Sequence, residues 1–338
     1  MNWDSVLSTL TQAPGVSGSE MPAANAACAL FAPFCDVTVD QNQSVHAALR
    51  ADVPADAPLL VMDAHLDEVG LVVTGIDENG FLSFAAVGGI AGRHLPAYEV
   101  CVHGREDVYG VITSTPPHLA KKGDVPTDFS HLRIDTGMTR EQLGDRIALG
   151  SFVTFRGPTQ RLANEHRIVS KALDDRGCCA ILLRVAELLH GQKLGCRVVF
   201  TLTSGEETTS RGSSTSAFAL APDQALVLDV TYAKTPGSPE STVATLGGGP
   251  AIGTSPVLDR DIFSTLKNIC AENNIPYSVE VMPRRTYTNS EAFAIAKTGA
   301  RVGMISLPLR YMHTPAEVCD DRDLEACAQL AAAYARSL

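Results

Sequence analysis

Five short motifs constrain this chain more than any other feature, because each supplies a histidine, aspartate or glutamate, and at least four do so at the end of an apolar run that reads as a buried strand. They are AHLDEVG at 64–70, KALDDRG at 171–177, SGEE at 204–207, LDV at 228–230 and RYMHT at 310–314. LLVMDAH leads to His65, CRVVFTLTSGEE to Glu206 and Glu207, ALVLD to Asp229, and ARVGMISLPLRYMH to His313. In an open α/β sheet, ligands gather outside the carboxyl ends of the strands. Charged side chains placed there are the pattern of a metal-dependent hydrolase built on a sheet edge.

The rest of the sequence is compatible with this. A chain of 338 residues can build a large core and more than one domain. Its formal charge of −11 argues against nucleic acid as a partner, since phosphate binding needs a basic face. The opening MNWDSVLSTLTQAPG has no basic segment followed by an apolar one, and no apolar run reaches membrane-spanning length. A cytoplasmic location with no membrane partner is expected. The nine cysteines form no C-x-x-C pair and read as small apolar core residues; Cys178 and Cys179 fall in an expected buried helix.

Along the chain, three stretches differ in character. Residues 1–67 read as a helix, a Gly/Ser turn at 15–18, a second helix and strands ending at His65. Residues 68–156 carry short β-like runs (GLVVTGI, GFLSFAAV, YEVCVHG, VYGVITS, SFVTF) broken by turns, which suggests a small barrel or sandwich. Pro116-Pro117-His118 and residues 121–128 read as a surface loop. From residue 157 strands alternate with helices, expected at 176–190, 262–272, 290–297 and 322–337, which implies a largely parallel sheet. The expected fold is therefore α/β, a mostly parallel sheet flanked by helices, formed by 1–67 and 157–338. An inserted small β-barrel-like domain at 68–156 interrupts it.

Each motif alone is weak. A lone His65 is more often a hydrogen-bonded structural residue, but Asp67 two positions on faces the same side of the strand and can accept the ring's other N–H. Helix capping explains one of the pair Asp174 and Asp175, and is assigned to Asp175. Glu206 and Glu207 repel unless a cation or proton relieves them. Asp229 ends an apolar run, a costly place for an unpaired charge. Together, two histidines and at least three carboxylates are a ligand set for two divalent ions, zinc or cobalt first and manganese next. Such a pair activates a water and polarises a carbonyl, with a free carboxylate as general base. The glutamate pair offers one candidate base and one candidate ligand.

These motifs give the chain a close resemblance to the cytoplasmic dinuclear metallo-aminopeptidases, which include glutamyl aminopeptidase, the deblocking aminopeptidases and the tetrahedral (TET) peptidases. Some relatives carry cellulase or endoglucanase labels. The resemblance runs from Pro14-Gly15-Val16-Ser17-Gly18 to the last helix. It also takes in VGGI at 87–90, GVITSTPPH at 110–118, IDTG at 134–137 and RYMHTPAEV at 310–318. It implies a zinc-peptidase-like fold and removal of N-terminal residues from peptides. By position it implies His65, Asp174 and Asp229 on one metal and Asp174, Glu207 and His313 on the other, with Asp174 bridging. Glu206 would be the general base and Asp67 would orient His65. The inserted domain would help dimers join into a twelve-subunit tetrahedral particle.

The chain departs from the family pattern at two places. Thr208-Thr209-Ser210-Arg211-Gly212 keeps the family's Arg-Gly but not its Val-Gly. Arg285-Thr286-Tyr287-Thr288-Asn289-Ser290 stands where the family carries Gly-Gly-Thr-Asp-Ala, near the expected substrate pocket. Side-chain preference is therefore open: Arg284 and Arg285 are candidates to attract an acidic side chain, and solvated loop charges are the commoner reading of such a pair. An aminopeptidase is the first reading. A related dimetal amidohydrolase, a deacylase or dipeptidase, is the second. A glycosidase ranks last, because it needs two carboxylates flanking a bond and leaves the histidines without a role.

Overall fold

A computed structural model describes residues 1–54, 56–114, 129–239 and 244–338. The expected loop at Pro116-Pro117-His118 and 121–128 lies outside the described residues. The chain opens with α1 (Trp3–Gln12), α2 (Met21–Phe31), β1 (Cys35–Val39), β2 (Val45–Leu49) and β3 (Leu59–His65). Asn2 caps α1 by accepting the N–H of Ser5 at 3.2 Å, and the spacing of Val6, Leu7 and Leu10 turns one face inward. Next come β4 (Gly70–Ile76), β5 (Leu82–Val87), β6 (Glu99–His103), β7 (Asp107–Thr113), β8 (Arg133–Asp135), α3 (Arg140–Leu143) and β9 (Phe152–Phe155). Then follow β10 (Gln160–Arg161), β11 (Arg167–Ser170), α4 (Leu173–Leu189), β12 (Arg197–Thr203), α5 (Arg211–Leu220) and β13 (Gln224–Tyr232). The chain closes with β14 (Ala251–Thr254), α6 (Arg260–Glu272), β15 (Ser278–Val281), α7 (Ser290–Ile295), β16 (Arg301–Leu309), β17 (Glu317–Asp320) and α8 (Asp321–Ser337).

The main sheet has eight strands in the order β1-β2-β12-β3-β13-β16-β14-β15. Its centre is parallel, with β3 between β12 and β13 and β16 beyond β13. The pairs β1–β2, β2–β12 and β14–β16 are antiparallel. The fold is thus the expected α/β class, with antiparallel pairs towards its two sides. Every residue of β3 is buried, as a central strand covered on both faces requires. Its side chains alternate between two cores. Leu60 and Met62 pack with Phe31, Phe200 and the helices α4 and α8, while Leu59 and Val61 pack with Ala217 of α5 and Phe293 of α7. Because the central strands run the same way, their carboxyl ends share one edge. His65 ends β3, Ser204 follows β12, Asp229 lies near the end of β13, and His313 follows β16.

Between β3 and β12 the chain leaves this sheet. Strands β4 to β9 close into a barrel in the order β4-β5-β8-β7-β6-β9. Leu71, Val100, Val102, Ile112, Ile134 and Val153 fill its interior. Closure removes the open edges that an isolated sheet would expose. Three features go beyond what the sequence made visible. β8 is three residues long, too short for alternation to register. α5, RGSSTSAFAL, has few large apolar residues to mark a helical period. β10, β11 and β17 form a second, antiparallel sheet in which Ser170 faces Glu317, so the RYMHTPAEV segment returns beside the start of KALDDRG.

Phe200 tests the larger core. It is fully buried on β12, with its ring centroid 5.8 Å from that of Phe31. Replacing it by Ala should cost about 3–5 kcal/mol through lost burial and the cavity left behind. Urea unfolding should show a lower midpoint with an unchanged slope; an unmoved midpoint would contradict this packing.

Candidate active site

His65, Asp174, Glu206, Glu207, Asp229 and His313 line one cavity of about 410 Å³ at the carboxyl edge of the main sheet. A larger cavity, about 880 Å³, lies between the barrel and the small β10-β11-β17 sheet and is lined by Tyr98, Arg156, Pro158 and Lys171, but it holds none of these six residues. The smaller cavity is therefore the candidate site.

The ligand-type atoms converge. Nε2 of His65 lies 3.0 Å from Oδ1 of Asp174. Nε2 of His313 lies 3.3 Å from Oδ2 of the same aspartate and 3.1 Å from Oε1 of Glu207. Asp174 thus faces one histidine with each oxygen. Among the described residues, His65, Asp174 and Glu207 offer ligand atoms within 4.8 Å of one another, and so do His65, Asp175 and Asp229. The second trio includes Asp175, which is no helix cap. Its Oδ2 accepts the main-chain N–H of His65 at 3.1 Å, and no side-chain cap forms at the start of α4.

Asp67 is fully buried beside His65. The ring Nδ1 lies 3.1 Å from the Asp67 carbonyl oxygen and 3.5 Å from its Oδ1. The Asp67 carboxylate also accepts the main-chain N–H of Glu206 at 3.0 Å, that of Glu207 at 3.2 Å, and the hydroxyl of Ser17. One carboxylate therefore orders both the first motif and the glutamate pair. The thiols of Cys178 and Cys179 donate to the carbonyls of Asp229 and His65 at 3.4 and 3.2 Å, tying α4 to the strands that carry these two residues.

Glu317 has a role that the sequence did not reveal. It is buried at the start of β17, and its two oxygens accept the main-chain N–H groups of His313 at 2.7 Å and of Asp174 at 3.0 Å. His313 has φ +63°, a left-handed backbone unusual for a non-glycine residue, and the Glu317 contact helps hold it there. Its Nδ1 donates to the carbonyl of Gly89 at 2.7 Å, leaving Nε2 for the cavity. A Cβ at position 89 would sit 2.9 Å from that Nδ1, so the VGGI turn needs glycine there. The only signal for Glu317 was its place in RYMHTPAEV, because its partner Asp174 is far away in sequence.

The departure at 285–290 also takes a definite form. Asn289 is buried beneath the cavity, and its Nδ2 donates to Asp63 Oδ2 and Thr203 Oγ1, both at 2.8 Å. Thr286, Tyr287 and Thr288 are the residues of that run that line the cavity. Arg285 turns outward, with Nε 2.8 Å from Glu291 Oε2.

Electrostatics show what the cluster lacks. Burial pushes the Glu206 carboxyl up to about 7, with the neighbouring Glu207, Asp67 and Asp174 adding to the rise against the pull of His65. Burial likewise raises Glu207, and burial with the Asp175 charge raises Asp229 well above the usual carboxylate range. Burial opposes charge on His313, yet Asp174 and Glu207 outweigh it and lift the imidazole to about 11. His65 is raised in the same way by Asp174 and Asp67 against burial. With only protons to share, positive charge collects on the two imidazoles between the carboxylates. That is where divalent cations with nitrogen and oxygen ligands fit.

A buried cluster of imidazoles and carboxylates at a sheet edge, open to a cavity, is the site of a metallohydrolase. Residues 47–330 match the family described as M42 glutamyl aminopeptidase, and the chain belongs to that family. It is an aminopeptidase, a hydrolase of peptide bonds, in a family of metallopeptidases. The chain is 29% identical to the lysyl aminopeptidase of Pyrococcus furiosus, over 100% of this chain and 98% of that one. An aminopeptidase structure from the archaeon Desulfurococcus kamchatkensis superposes with a TM-score of 0.92 at 32% identity, covering 100% of this chain and 96% of the other. The TET1 peptidase of Pyrococcus horikoshii, which can assemble into a tetrahedron or a large octahedral shell, superposes with a TM-score of 0.85 at 28% identity over 99% of each chain.

Glu317 gives the prediction here. Glu317→Gln sets an amide NH2 against one of two N–H donors and loosens Asp174 or His313. Metal affinity should fall roughly 10–100-fold, the usual effect of losing a group that orients ligands. Titration with zinc in a metal buffer would measure it, and an unchanged affinity would remove Glu317 from this role.

Proposed function

We propose that the chain removes N-terminal residues from peptides with two divalent ions per subunit. His65, Asp174 and Asp229 would hold one ion, and Asp174, Glu207 and His313 the other. The observation that carries this reading is Asp174, whose two oxygens face His65 at 3.0 Å and His313 at 3.3 Å. When bound, zinc or cobalt, or less readily manganese, would lower the pKa of a water and polarise the scissile carbonyl. Asp67, through the N–H groups of Glu206 and Glu207, sets the direction of both side chains. Glu206 takes the water's proton and passes it to the leaving amine. Glu207, in contact with His313, remains a ligand.

The two glutamates separate in a pair of variants. Glu206→Gln keeps the shape and loses the proton acceptor, so metal content should persist while kcat falls roughly 10²–10⁴-fold. Glu207→Gln should lose metal and recover part of its activity when metal is added. Elemental analysis alongside aminoacyl-anilide turnover reads both. Active wild-type protein without transition metal would overturn the whole assignment, and the opposite behaviour of the two variants would exchange their roles.

We further propose that residues 68–156 form a separate domain that supports assembly, with a dimer as the building block of a tetrahedral dodecamer. A solved relative at 27% identity is a dodecamer. Outside that stretch, exposed Val279 and Val281 on the outermost strand β15 of the main sheet, and Ile295 at the end of α7, are further apolar surfaces that an assembly would cover. Light scattering on a sizing column should give about twelve times the chain mass. A monomer at every concentration, still active, would contradict this.

A further inference from the structure

The cavity holds more than the histidines and carboxylates of the proposed metal centre. Glu280 also lines it, with Met282 and Met304 among the other residues of its wall. Glu280 sits on β15, where Val279 and Val281 are exposed and Glu280 is part-buried between them. Its oxygens accept the hydroxyls of Thr231 at 2.6 Å and Ser306 at 2.7 Å. Both partners belong to strands of the site. Thr231 lies two residues beyond Asp229 on β13, and Ser306 of β16 is the direct partner of Asp229.

No lysine or arginine lines this cavity among the described residues. Arg285, the sequence's candidate for an acidic substrate, is paired with Glu291 at 2.8 Å and lies over the Tyr287 ring at 5.6 Å. It sits outside the cavity and offers it no free charge. Two divalent ions would balance Asp174, Glu206, Glu207 and Asp229. Glu280 is then the carboxylate left without a counter-charge. Two hydroxyls fix its position but leave lone pairs free, and a part-buried carboxylate gains most from a cationic donor.

We propose that Glu280 ends the pocket for the substrate's first side chain and selects lysine or arginine there. This rests on the dimetal aminopeptidase reading, which puts the scissile bond beside Asp229. Two residues of strand cover about 6.6 Å, the scale of an extended lysine stem with its ammonium at the tip. The methionines suit the alkyl stem, since a thioether packs adaptably against methylene groups. A glutamyl side chain would meet a like charge at Glu280, and a leucyl side chain would leave that carboxylate desolvated and unpaired.

Two measurements test this on the metal-loaded protein. The first is kcat/KM on lysyl, arginyl, norleucyl, leucyl and glutamyl p-nitroanilides. Lysyl and arginyl substrates should exceed norleucyl, which has the same stem length without the ammonium, by roughly 10–100-fold, the worth of a charged hydrogen bond. The second is calorimetric binding of free lysine against free norleucine, which needs no turnover. Glu280→Gln should reduce the lysine preference in both by about the same factor. Cleavage of leucyl or glutamyl anilide ahead of lysyl would overturn the proposal while the aminopeptidase reading stands. So would an undiminished lysine preference in the variant. If no anilide is cleaved, the aminopeptidase reading falls, and the binding ratio of lysine to norleucine still decides the role of Glu280.

Discussion

Like-charge repulsion at one sheet edge is the constraint around which this molecule is built. Asp174, Glu206, Glu207 and Asp229 share a single cavity with His65 and His313. Burial raises three of these carboxyls, while contact with the two imidazoles holds Asp174 below the usual range despite its burial. Such a group of anions cannot stay together in a low-dielectric site without positive charge. The parallel centre of the sheet brings the residues to one edge, and cations would make their proximity favourable.

Around the cluster lies a set of buried polar contacts with no chemistry of their own. Asp67 holds the main chain of Glu206 and Glu207, and Glu317 holds that of Asp174 and His313. Glu68 accepts from Lys171 at 2.6 Å and pairs with the fully buried Arg176 at 3.4 Å. Arg176 also donates to the carbonyls of Leu10 at 2.8 Å and Leu66 at 2.9 Å, so α1, the His65 motif and α4 are tied at one guanidinium. Breaking one partner of such a buried pair costs several kcal/mol because the other charge is left unpaired. The cavity-facing residues can thus point inward because their backbones are fixed from behind.

How much of this was legible in the sequence depends on distance along the chain. His65, Glu206, Glu207, Asp229 and His313 stood out because apolar runs end at or just before them, and a run that becomes a buried strand must deliver its next polar residues to the sheet edge. The closed barrel was legible from its short alternating strands, except for the three-residue β8. Asp175 was misread as a helix cap because its partner, the His65 N–H, lies on another motif. Glu317 and Asn289 acquire their roles only once β17 and α7 fold back against the site. Of the two readings the sequence left open for Arg285, a draw for an acidic side chain or an outward loop charge, the structure fits the second, since Glu291, six residues on, takes its charge. Glu280 had no motif at all. Its position follows from the pairing of β15 at the sheet's end.

Anomalous diffraction from crystals loaded with zinc tests the central claim most directly. The account predicts two peaks per chain on either side of Asp174. One should contact His65 and Asp229, and the other Glu207 and His313. A single peak, a peak pair held by Asp175 in place of Asp174, or zinc bound away from this cavity would contradict it.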